Sequence, residues 1–377
     1  MEGYTGFTKD FAFGAATAAF QIEGAPSADG KGPSIWDVFS KTPGKIRNGD
    51  TADVACDHYH RMKEDVALMK SLGLTAYRFS LSWPRILPDG EGRVNEKGVN
   101  FYNALIDELI KNDITPWVTL FHWDLPLALQ KKYGGFKNRR LVEIFATYTR
   151  IAVERFGDRI SHWITINEPF EFSCFGHLLG THAPGKRSPR AYFHVMHNLL
   201  LAHGKGLEVI KSLSPDAKAG ISISMTPVHP QRDTLGDRAA AEMANQFMND
   251  ITLMPLYHGT YPEKLWKRAV LFRPKIHKGD MDVIMTKADF IGLNYYSREK
   301  ATYSWYTPVL HASISGTEPA ENRPTDHDET KRTSMGWEVY PEGLYDCLAR
   351  VKDVGHNPDI YITETGCAFD DILTSEG

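Results

Sequence analysis

Short apolar segments alternate with amphipathic helical segments along the chain, and this alternation restricts the fold more than any other feature. The apolar segments are rich in β-branched and aromatic residues, as buried strands are. They span residues 11–15, 75–80, 115–121, 162–166, 217–222, 290–295 and 360–363. The helical segments span residues 59–72, 95–112, 138–156, 191–213, 238–250 and 342–354. Such repeats predict parallel strands joined by helical crossovers.

Seven strands with helical connections favour a closed (β/α) barrel over an open doubly wound sheet. No G-x-G-x-x-G sequence follows the first strand, so the dinucleotide-binding form of the open sheet has no support. A chain of 377 residues also has the length of α/β barrels that form one domain. We therefore predict a single barrel domain over residues 1–377.

Composition and charge exclude several classes of partner. The net charge of −4 argues against nucleic acid or an anionic membrane as the main partner. The chain has no apolar run of 18 residues and no signal-peptide pattern, which favours a cytoplasmic protein. The four cysteines lack C-x-x-C spacing and are typical of reduced, buried thiols rather than a disulfide framework or a zinc site: Cys56, Cys174, Cys347 and Cys367.

Two of the predicted strands end in a glutamate. In SHWITINEP at 161–169, the strand is followed by Asn167, Glu168 and Pro169. Proline has no amide hydrogen, so we expect the sheet to stop there, and proline biases the backbone of Glu168 towards extended geometry. In DIYITETG at 359–366, the last strand presents Glu364 at the same relative place. A polar turn explains a single Asn-Glu-Pro, but two strands that end alike indicate a site.

Other polar residues fall at the same ends of other predicted strands. Arg78 belongs to the second strand, His122 follows the third, and Asn294 and Tyr296 lie at the end of the sixth. The carboxyl ends of all strands in a (β/α) barrel meet at one face, where active sites lie. The sequence therefore predicts one site at this face. The long polar segment 298–332 predicts a mobile surface loop.

Two carboxyl groups that face one cavity suit the hydrolysis of a glycosidic bond. One acts as general acid, and the second acts as nucleophile when the two groups stand about 5 to 5.5 Å apart, so that configuration is retained. The residues themselves give no distance between Glu168 and Glu364. On this argument alone, the stereochemical outcome stays open.

Six blocks of the sequence resemble family 1 of the glycoside hydrolases, the β-glucosidase and β-galactosidase family. TINEP at 165–169 and ITETG at 362–366 resemble its two catalytic signatures. The other four blocks are FGAATAAFQIEG at 13–24, YRFSLSWPRI at 77–86, LFHWDLP at 120–126 and GLNYY at 292–296. The blocks occur in order over essentially the whole chain, and together they are highly specific.

The resemblance implies an α/β fold, the (β/α)8 TIM barrel, and a retaining β-glycosidase that works through a covalent glycosyl-enzyme intermediate. It implies no metal and no organic cofactor. The expected partners are small β-linked saccharides or aryl and alkyl β-glucosides, with β-galactosides as a further possibility. Neither composition nor resemblance decides the oligomeric state.

The resemblance also implies roles for individual residues. Glu168 is expected to be the general acid and then the base, and Glu364 the nucleophile. Arg78 and Tyr296 are expected to hold Glu364 ionised, because an adjacent cation and a hydrogen bond lower the pKa of a carboxyl group. For Arg78, a purely structural ion pair is the alternative.

Seven residues are expected to contact or support the sugar, and Tyr296, which is also expected to tune Glu364, is one of them. Asn167 is expected to hydrogen-bond the 2-hydroxyl, and Gln21 and His122 the hydroxyls further round the ring. Trp123 is expected to line the sugar pocket, and Trp337 to form a platform for the leaving group. Asn294 is expected to support the acid/base side of the pocket. Simple core roles are the alternatives for His122 and Trp337.

The sequence departs from the family pattern at two places. Thr365 stands where the family usually has asparagine after the nucleophile. The sequence also ends at Gly377, so we expect the eighth strand and the last helix of the barrel to be absent from it. Two alternatives therefore stay open: a 6-phospho-β-glycosidase, and a catalytically impaired, truncated sugar-binding barrel.

Overall fold

The computed structural model describes residues 6–8, 11–315, 332–369 and 371–374, and its strands follow the predicted repeats. In these residues the strands are β1 Gly14–Ala16, β2 Ala76–Ser80, β3 Thr115–Phe121, β4 His162–Asn167, β5 Lys218–Ser224, β6 Val228–Pro230, β7 Phe290–Tyr295, β8 Glu299–Tyr303, β9 Ala312–Ile314 and β10 Ile360–Thr365. All seven predicted strands are confirmed, with boundaries shifted by at most three residues.

Helices connect the strands of the main sheet. They are α1 Ala19–Ile22, α2 Ile35–Ser40, α3 His58–Ser71, α4 Trp83–Ile86, α5 Glu96–Lys111, α6 Leu127–Tyr133, α7 Arg140–Phe156, α8 Pro169–Ser173, α9 Pro189–Leu213, α10 Leu235–Asn245, α11 Ile251–His258, α12 Glu263–Arg268, α13 Asp280–Ile284 and α14 Glu342–Gly355. The predicted helix 238–250 is longer than expected, since α10 continues through a π-helical turn, Gln246–Asp250, into α11.

Within the described residues, the main sheet has seven parallel strands in the order β1, β2, β3, β4, β5, β7, β10. Cα atoms of the two edge strands, β1 and β10, come within 8 Å of each other. A sheet whose first and last strands approach this closely must curl into a barrel. No eighth strand of this sheet occurs in the part of the chain that is described.

The barrel is packed on both sides of its wall. Most buried apolar side chains lie between the sheet and the helices, where Trp83 stacks on Tyr148 with ring centroids 4.5 Å apart. A second cluster, formed by Trp117, Ile164 and Phe290, draws on three different strands. Because this cluster is separate from the one that packs against the helices, we interpret it as packing of the barrel interior.

The predicted surface loop 298–332 is only partly a loop. Its first part contains β8 and β9, which pair antiparallel, and β8 also pairs parallel with β6. This small sheet buries Val228, Ala301 and Ile314 against α10. The prediction of a mobile loop is therefore wrong for these strands, because short strands with few apolar residues carry a weak sequence signal. Residues 316–331 lie outside the described part.

Two of the four cysteines depart from the predicted burial. Cys174 and Cys347 are buried as expected, whereas Cys56 and Cys367 are exposed, and all four are free thiols. Among the described residues, no helix combines the length and apolarity needed to cross a bilayer.

A buried ion pair ties the first βα unit to the helices around it. Arg85, which is fully buried, donates to Glu23 through Nε at 2.9 Å, and its Nη2 lies 2.8 Å from the same carboxylate oxygen. Tyr102 donates to the other oxygen of Glu23 at 2.5 Å and accepts from the backbone N–H of Ser82. The guanidinium also lies 4.2 Å from the ring centroid of Tyr59. The cluster thus gives the buried guanidinium a counter-charge, although its Nη1 has no hydrogen-bond partner in the described structure.

We expect Arg85→Met to lower the stability by about 3–5 kcal/mol, because the substitution leaves the Glu23 carboxylate buried without its counter-charge. The measurement is the midpoint of guanidinium unfolding followed by circular dichroism. Lys267→Met is the matched control, since it breaks the exposed ion pair with Glu263 and should change the midpoint little. Equal shifts in the two variants would contradict the assigned role of the buried pair.

Candidate active site

The strand registers bring the predicted polar residues to one end of the barrel. Asn167, the last residue of β4, pairs with Ser222 on β5. Asn294 on β7 pairs with Ser224 of β5 on one side and with Glu364 of β10 on the other. Residues that are distant in sequence therefore become neighbours at the carboxyl ends of adjacent strands, as the barrel rule predicts.

Asn167 links the two glutamates through a continuous set of hydrogen bonds. Its Oδ1 accepts from Arg78 Nη2 at 2.6 Å and from Asn294 Nδ2 at 3.2 Å. Its Nδ2 donates to His122 Nε2 at 3.0 Å and lies 3.3 Å from an oxygen of Glu168. Because Arg78 also binds Glu364, the two carboxyl groups belong to one network.

Glu364 sits between a cation and a hydroxyl. Its Oε1 accepts from Arg78 Nη1 at 2.5 Å, and its Oε2 accepts from the hydroxyl of Tyr296 at 2.8 Å. Burial acts to raise the pKa of Glu364, but the positive charge of Arg78 and the hydroxyl of Tyr296 outweigh burial, and the pKa lies below its ordinary value. Glu364 is therefore an anion at neutral pH.

Glu168 has the opposite electrostatic environment. It is buried, and an oxygen accepts from Asn294 Nδ2 at 2.8 Å. Burial, followed by the negative charges of Glu171 and Glu364, raises the pKa of Glu168 well above its ordinary value. The hydrogen bond from Asn294 and the charge of Arg78 act the other way without cancelling this effect. The surroundings of Glu168 therefore favour its protonated form.

The backbone of Glu168 is not extended, so that prediction is wrong. Its φ of 46° and ψ of 68° lie in the left-handed region, where a residue with a side chain is strained. Its N–H donates to the carbonyl of Ser222 at 2.8 Å, and Pro169 begins α8 directly afterwards. The chain reverses at this one residue between β4 and α8, and this need overrides the local preference that proline imposes.

His122 is neutral and oriented by Asn167. Burial lowers the pKa of His122 to about 4, with Glu364 opposing and Arg78 reinforcing this shift. Since Nε2 accepts from Asn167, the proton resides on Nδ1, which has no hydrogen-bond partner in the described structure. A buried donor without a partner is available to a ligand oxygen.

A cavity of about 530 Å³ opens beside these residues, between β1 and β10. Its wall includes Gln21, Arg78, His122, Tyr296 and Glu364. Glu168, Asn167 and Asn294 are not among the lining residues. Asn167 is hydrogen-bonded to Arg78 and His122 of the wall, and Glu168 and Asn294 are joined to Asn167.

The two predicted tryptophans lie at the edge of the site, and neither is among the residues that line this cavity. Trp123 is half-buried and donates through Nε1 to the backbone carbonyl of Asn167 at 3.0 Å, so it fixes the end of β4. Trp337 is also half-buried, with its ring centroid 5.7 Å from that of Tyr296. The next residue, Glu338, forms an ion pair with Arg298 at 2.7 Å that anchors this segment.

A third carboxyl group, Glu171, lies close to Glu168 and was not predicted from the sequence. Glu171 lies one helical turn after Glu168, on α8, and its Oε2 has no hydrogen-bond partner in the described structure. Burial, with a smaller contribution from the charge of Glu364, raises the pKa of Glu171 to about 8 against the opposing bond from Ser224. The spacing of three residues from Glu168 was a usable signal, because such residues share a helix face.

Two residues that were not predicted from the sequence, Ser222 and Thr363, orient the side-chain amide of Asn294. Its Oδ1 accepts from the hydroxyls of Ser222 at 2.9 Å and Thr363 at 2.7 Å, so its amide nitrogen must face Asn167 and Glu168. These contacts orient the amide that binds Glu168.

As a whole, the site combines a carboxyl group whose pKa is raised with a carboxylate whose pKa is lowered, in a single network. Acid-assisted nucleophilic displacement at a sugar carbon needs such a proton donor and such an anion.

Comparison with known proteins agrees with this chemistry. The sequence profile of glycosyl hydrolase family 1 matches residues 4–376. The chain is 47% identical to β-glucosidase A of Thermotoga maritima over 98% of this chain and 80% of that protein. It is 46% identical to a 1,4-β-D-glucan glucohydrolase of Thermotoga neapolitana over 98% of this chain and 84% of that protein.

The fold agrees as well. The structure of the Thermotoga maritima β-glucosidase in complex with glucoimidazole superposes with a TM-score of 0.91 at 46% identity, covering 98% of this chain and 81% of that one. Both the profile match and the relatives extend over nearly the whole chain. The chain therefore belongs to glycosyl hydrolase family 1.

Proposed function

We propose that this protein is a retaining β-glucosidase that hydrolyses small β-linked saccharides or aryl and alkyl β-glucosides. The observation that carries the proposal is one hydrogen-bonded network in which the pKa of Glu168 is raised and the pKa of Glu364 is lowered. Neither shift is the product of a single neighbour. Glu364 binds the cation Arg78 directly, whereas Glu168 contacts the amides of Asn167 and Asn294.

The mechanism follows from these opposite pKa shifts. Glu364 attacks the anomeric carbon while Glu168 gives its proton to the departing oxygen, which forms a glycosyl-enzyme ester and releases the alcohol. Glu168, now an anion, then accepts a proton from water as the water attacks the same carbon. Glu364 leaves as a carboxylate, and two inversions give retention.

Arg78 and Tyr296 support both steps. The cation and the hydroxyl keep Glu364 deprotonated before attack and stabilise it as the leaving group afterwards. We assign the remaining predicted sugar contacts to Asn167, Gln21 and His122. Asn294 and Trp123 position the acid and Asn167, and Trp337 faces the leaving group.

We also propose that residues 1–377 act as one catalytic domain in the cytoplasm. Four free thiols, of which Cys56 and Cys367 are exposed, support this location, because exposed unpaired cysteines are unusual in oxidising compartments.

We expect Glu364→Ala to abolish hydrolysis of an aryl β-glucoside, because no nucleophile remains at the anomeric carbon. Azide fits the space left by the carboxylate and should restore part of the activity, with an α-glucosyl azide as the product. Proton NMR identifies the anomer. Glu143→Ala, which removes an exposed glutamate on α7, is the control and should keep wild-type activity. Full activity in Glu364→Ala without azide would eliminate Glu364 as nucleophile.

The dependence of kcat/KM on pH should be bell-shaped, because activity requires Glu364 without its proton and Glu168 with it. A negative charge on Glu171 opposes proton loss from Glu168, so Glu171→Gln should move the basic limb to lower pH. The measurement is kcat/KM of an alkyl β-glucoside from pH 4 to about 10. Glu143→Gln is the control and should leave the pH profile unchanged. A basic limb that stays in place or moves to higher pH in Glu171→Gln would refute this coupling.

A neutral glucoside should be a better substrate than its 6-phosphate, by at least about tenfold in kcat/KM. Among the described residues, the one Lys or Arg in the cavity wall is Arg78, whose guanidinium is already bound to Glu364 and Asn167. The assay compares p-nitrophenyl β-glucoside with its 6-phosphate. If the phosphorylated sugar is preferred, the result favours the 6-phospho-β-glycosidase alternative. If the protein binds the sugar but turns over neither substrate, the result favours the catalytically impaired barrel.

A further inference from the structure

A second cavity lies on the outside of the barrel, and its chemistry differs from that of the catalytic cavity. Its volume is about 480 Å³, and it shares no lining residue with the catalytic cavity. Its walls come from the connection between α6 and α7, from the first turns of α9 and from the segment before α13. We call it the basic cavity, after its lining residues Lys137, Arg139, Lys275, His194, His197 and His277.

The basic cavity has no acidic wall. In the described part of the chain, no aspartate or glutamate lines it. The carboxylate behind it, Asp280, is buried and fully engaged by Arg139, His197 and the backbone N–H of His277. Burial would raise the pKa of Asp280, but these hydrogen bonds lower it to about 2. Asp280 therefore fixes Arg139 and His197 in the wall and does not act as a free counter-charge.

Two lysines of the cavity have side chains without an ion-pair partner among the described residues. Across the described ranges, neither Lys137 nor Lys275 takes part in an ion pair. They come from separate segments and face the same space. Two uncompensated ammonium groups in one concave site raise the local positive potential, and an anion of matching size relieves it.

His194 adds an unused hydrogen-bonding atom between these charges. Its Nε2 is shielded from solvent and has no partner in the described structure. Burial, with the nearby charges of Arg190 and Lys137, lowers the pKa of His194, so the imidazole is neutral and Nε2 is able to carry a hydrogen. A buried polar atom without a partner is costly unless a ligand or water binds it.

The N-terminus of α7, a helix of 17 residues, lies beside the cavity, since Asn138 and the N-cap residue Arg139 line it directly before the helix begins at Arg140. The helix dipole places partial positive charge at this end, which favours a bound anion. The dipole adds to the field of the lysines but supplies few free donors, because Asn138 already caps the N–H of Arg140 at 3.0 Å.

We propose that the basic cavity binds the phosphate group of a small phosphate ester, held by Lys137 and Lys275 with His194 Nε2 as a hydrogen-bond donor. A doubly charged oxyanion suits two ammonium groups and a neutral donor better than a carboxylate does. The volume of the cavity exceeds that of a phosphate ion, and the ring of Tyr133 forms part of the wall beside the remaining space. The site is separate from the hydrolytic site and does not depend on the function proposed for it.

The test is titration calorimetry of the full chain with inorganic phosphate and with glucose 6-phosphate in low-salt buffer. We expect both to bind the wild-type protein, and Lys137→Ala/Lys275→Ala to weaken binding of each by at least about tenfold. The matched control is Lys63→Ala/Lys264→Ala, which removes two exposed lysines outside the cavity and should leave the affinity unchanged. Added sodium chloride should weaken binding to the wild type, because salt screens the attraction.

Two results would overturn the proposal. One is the absence of detectable binding to the wild type at about 10 millimolar phosphate or glucose 6-phosphate, a concentration that exceeds the dissociation constant of a weak anion site. The other is equal affinity in the cavity variant and the control variant. The kcat/KM of both variants for p-nitrophenyl β-glucoside should equal that of the wild type, which keeps a failure of this proposal distinct from a failure of the proposed hydrolysis.

Discussion

The guanidinium of Arg78, buried inside the barrel, is the interaction on which the site depends. It donates to Glu364, to the carbonyl of Thr363, to Asn167 and to Thr119. A buried cation without such partners would be strongly unfavourable, so its hydrogen bonds must be met by the surrounding strands. The partners belong to β3, β4 and β10. Satisfying one charge therefore fixes the ends of three strands relative to β2.

The same cation separates the chemistry of the two glutamates. Arg78 bonds directly to Glu364, whereas Glu168 is reached through the amides of Asn167 and Asn294. Amides stabilise a carboxylate less than a cation does, so Glu168 keeps its proton under the influence of burial and of neighbouring negative charge. Two identical side chains thus acquire opposite pKa shifts, because one of them binds the cation directly and the other contacts amides.

Much of the fold and part of the site could be predicted because the signals are local. The four strands concerned are short segments rich in β-branched and aromatic residues. Arg78 lies in the middle of β2, Asn294 and Glu364 lie in the second half of their strands, and Glu168 directly follows β4. Sequence reasoning failed where the signal depends on packing. The left-handed backbone of Glu168 follows from the direction in which β4 must turn into α8, and local preference gave the opposite expectation.

The missed features share one physical origin. Glu171 affects the pKa of Glu168 because both residues are buried close together. The small sheet of β6, β8 and β9 buries its apolar side chains against α10. The basic cavity likewise combines residues from segments more than a hundred positions apart. Burial and proximity of this kind are set by which elements pack together, which no single segment specifies.

By itself, the order of residues determined the strand–helix repeat, the place of each polar residue at a strand end and membership of a recognisable family. These follow from side-chain periodicity and from short motifs, which are properties of contiguous residues. Only the tertiary structure decided which glutamate carries a proton, which imidazole nitrogen is free and where unpaired cations collect. Those properties depend on charge separation and on exclusion of water, and both arise only when distant segments close around one another.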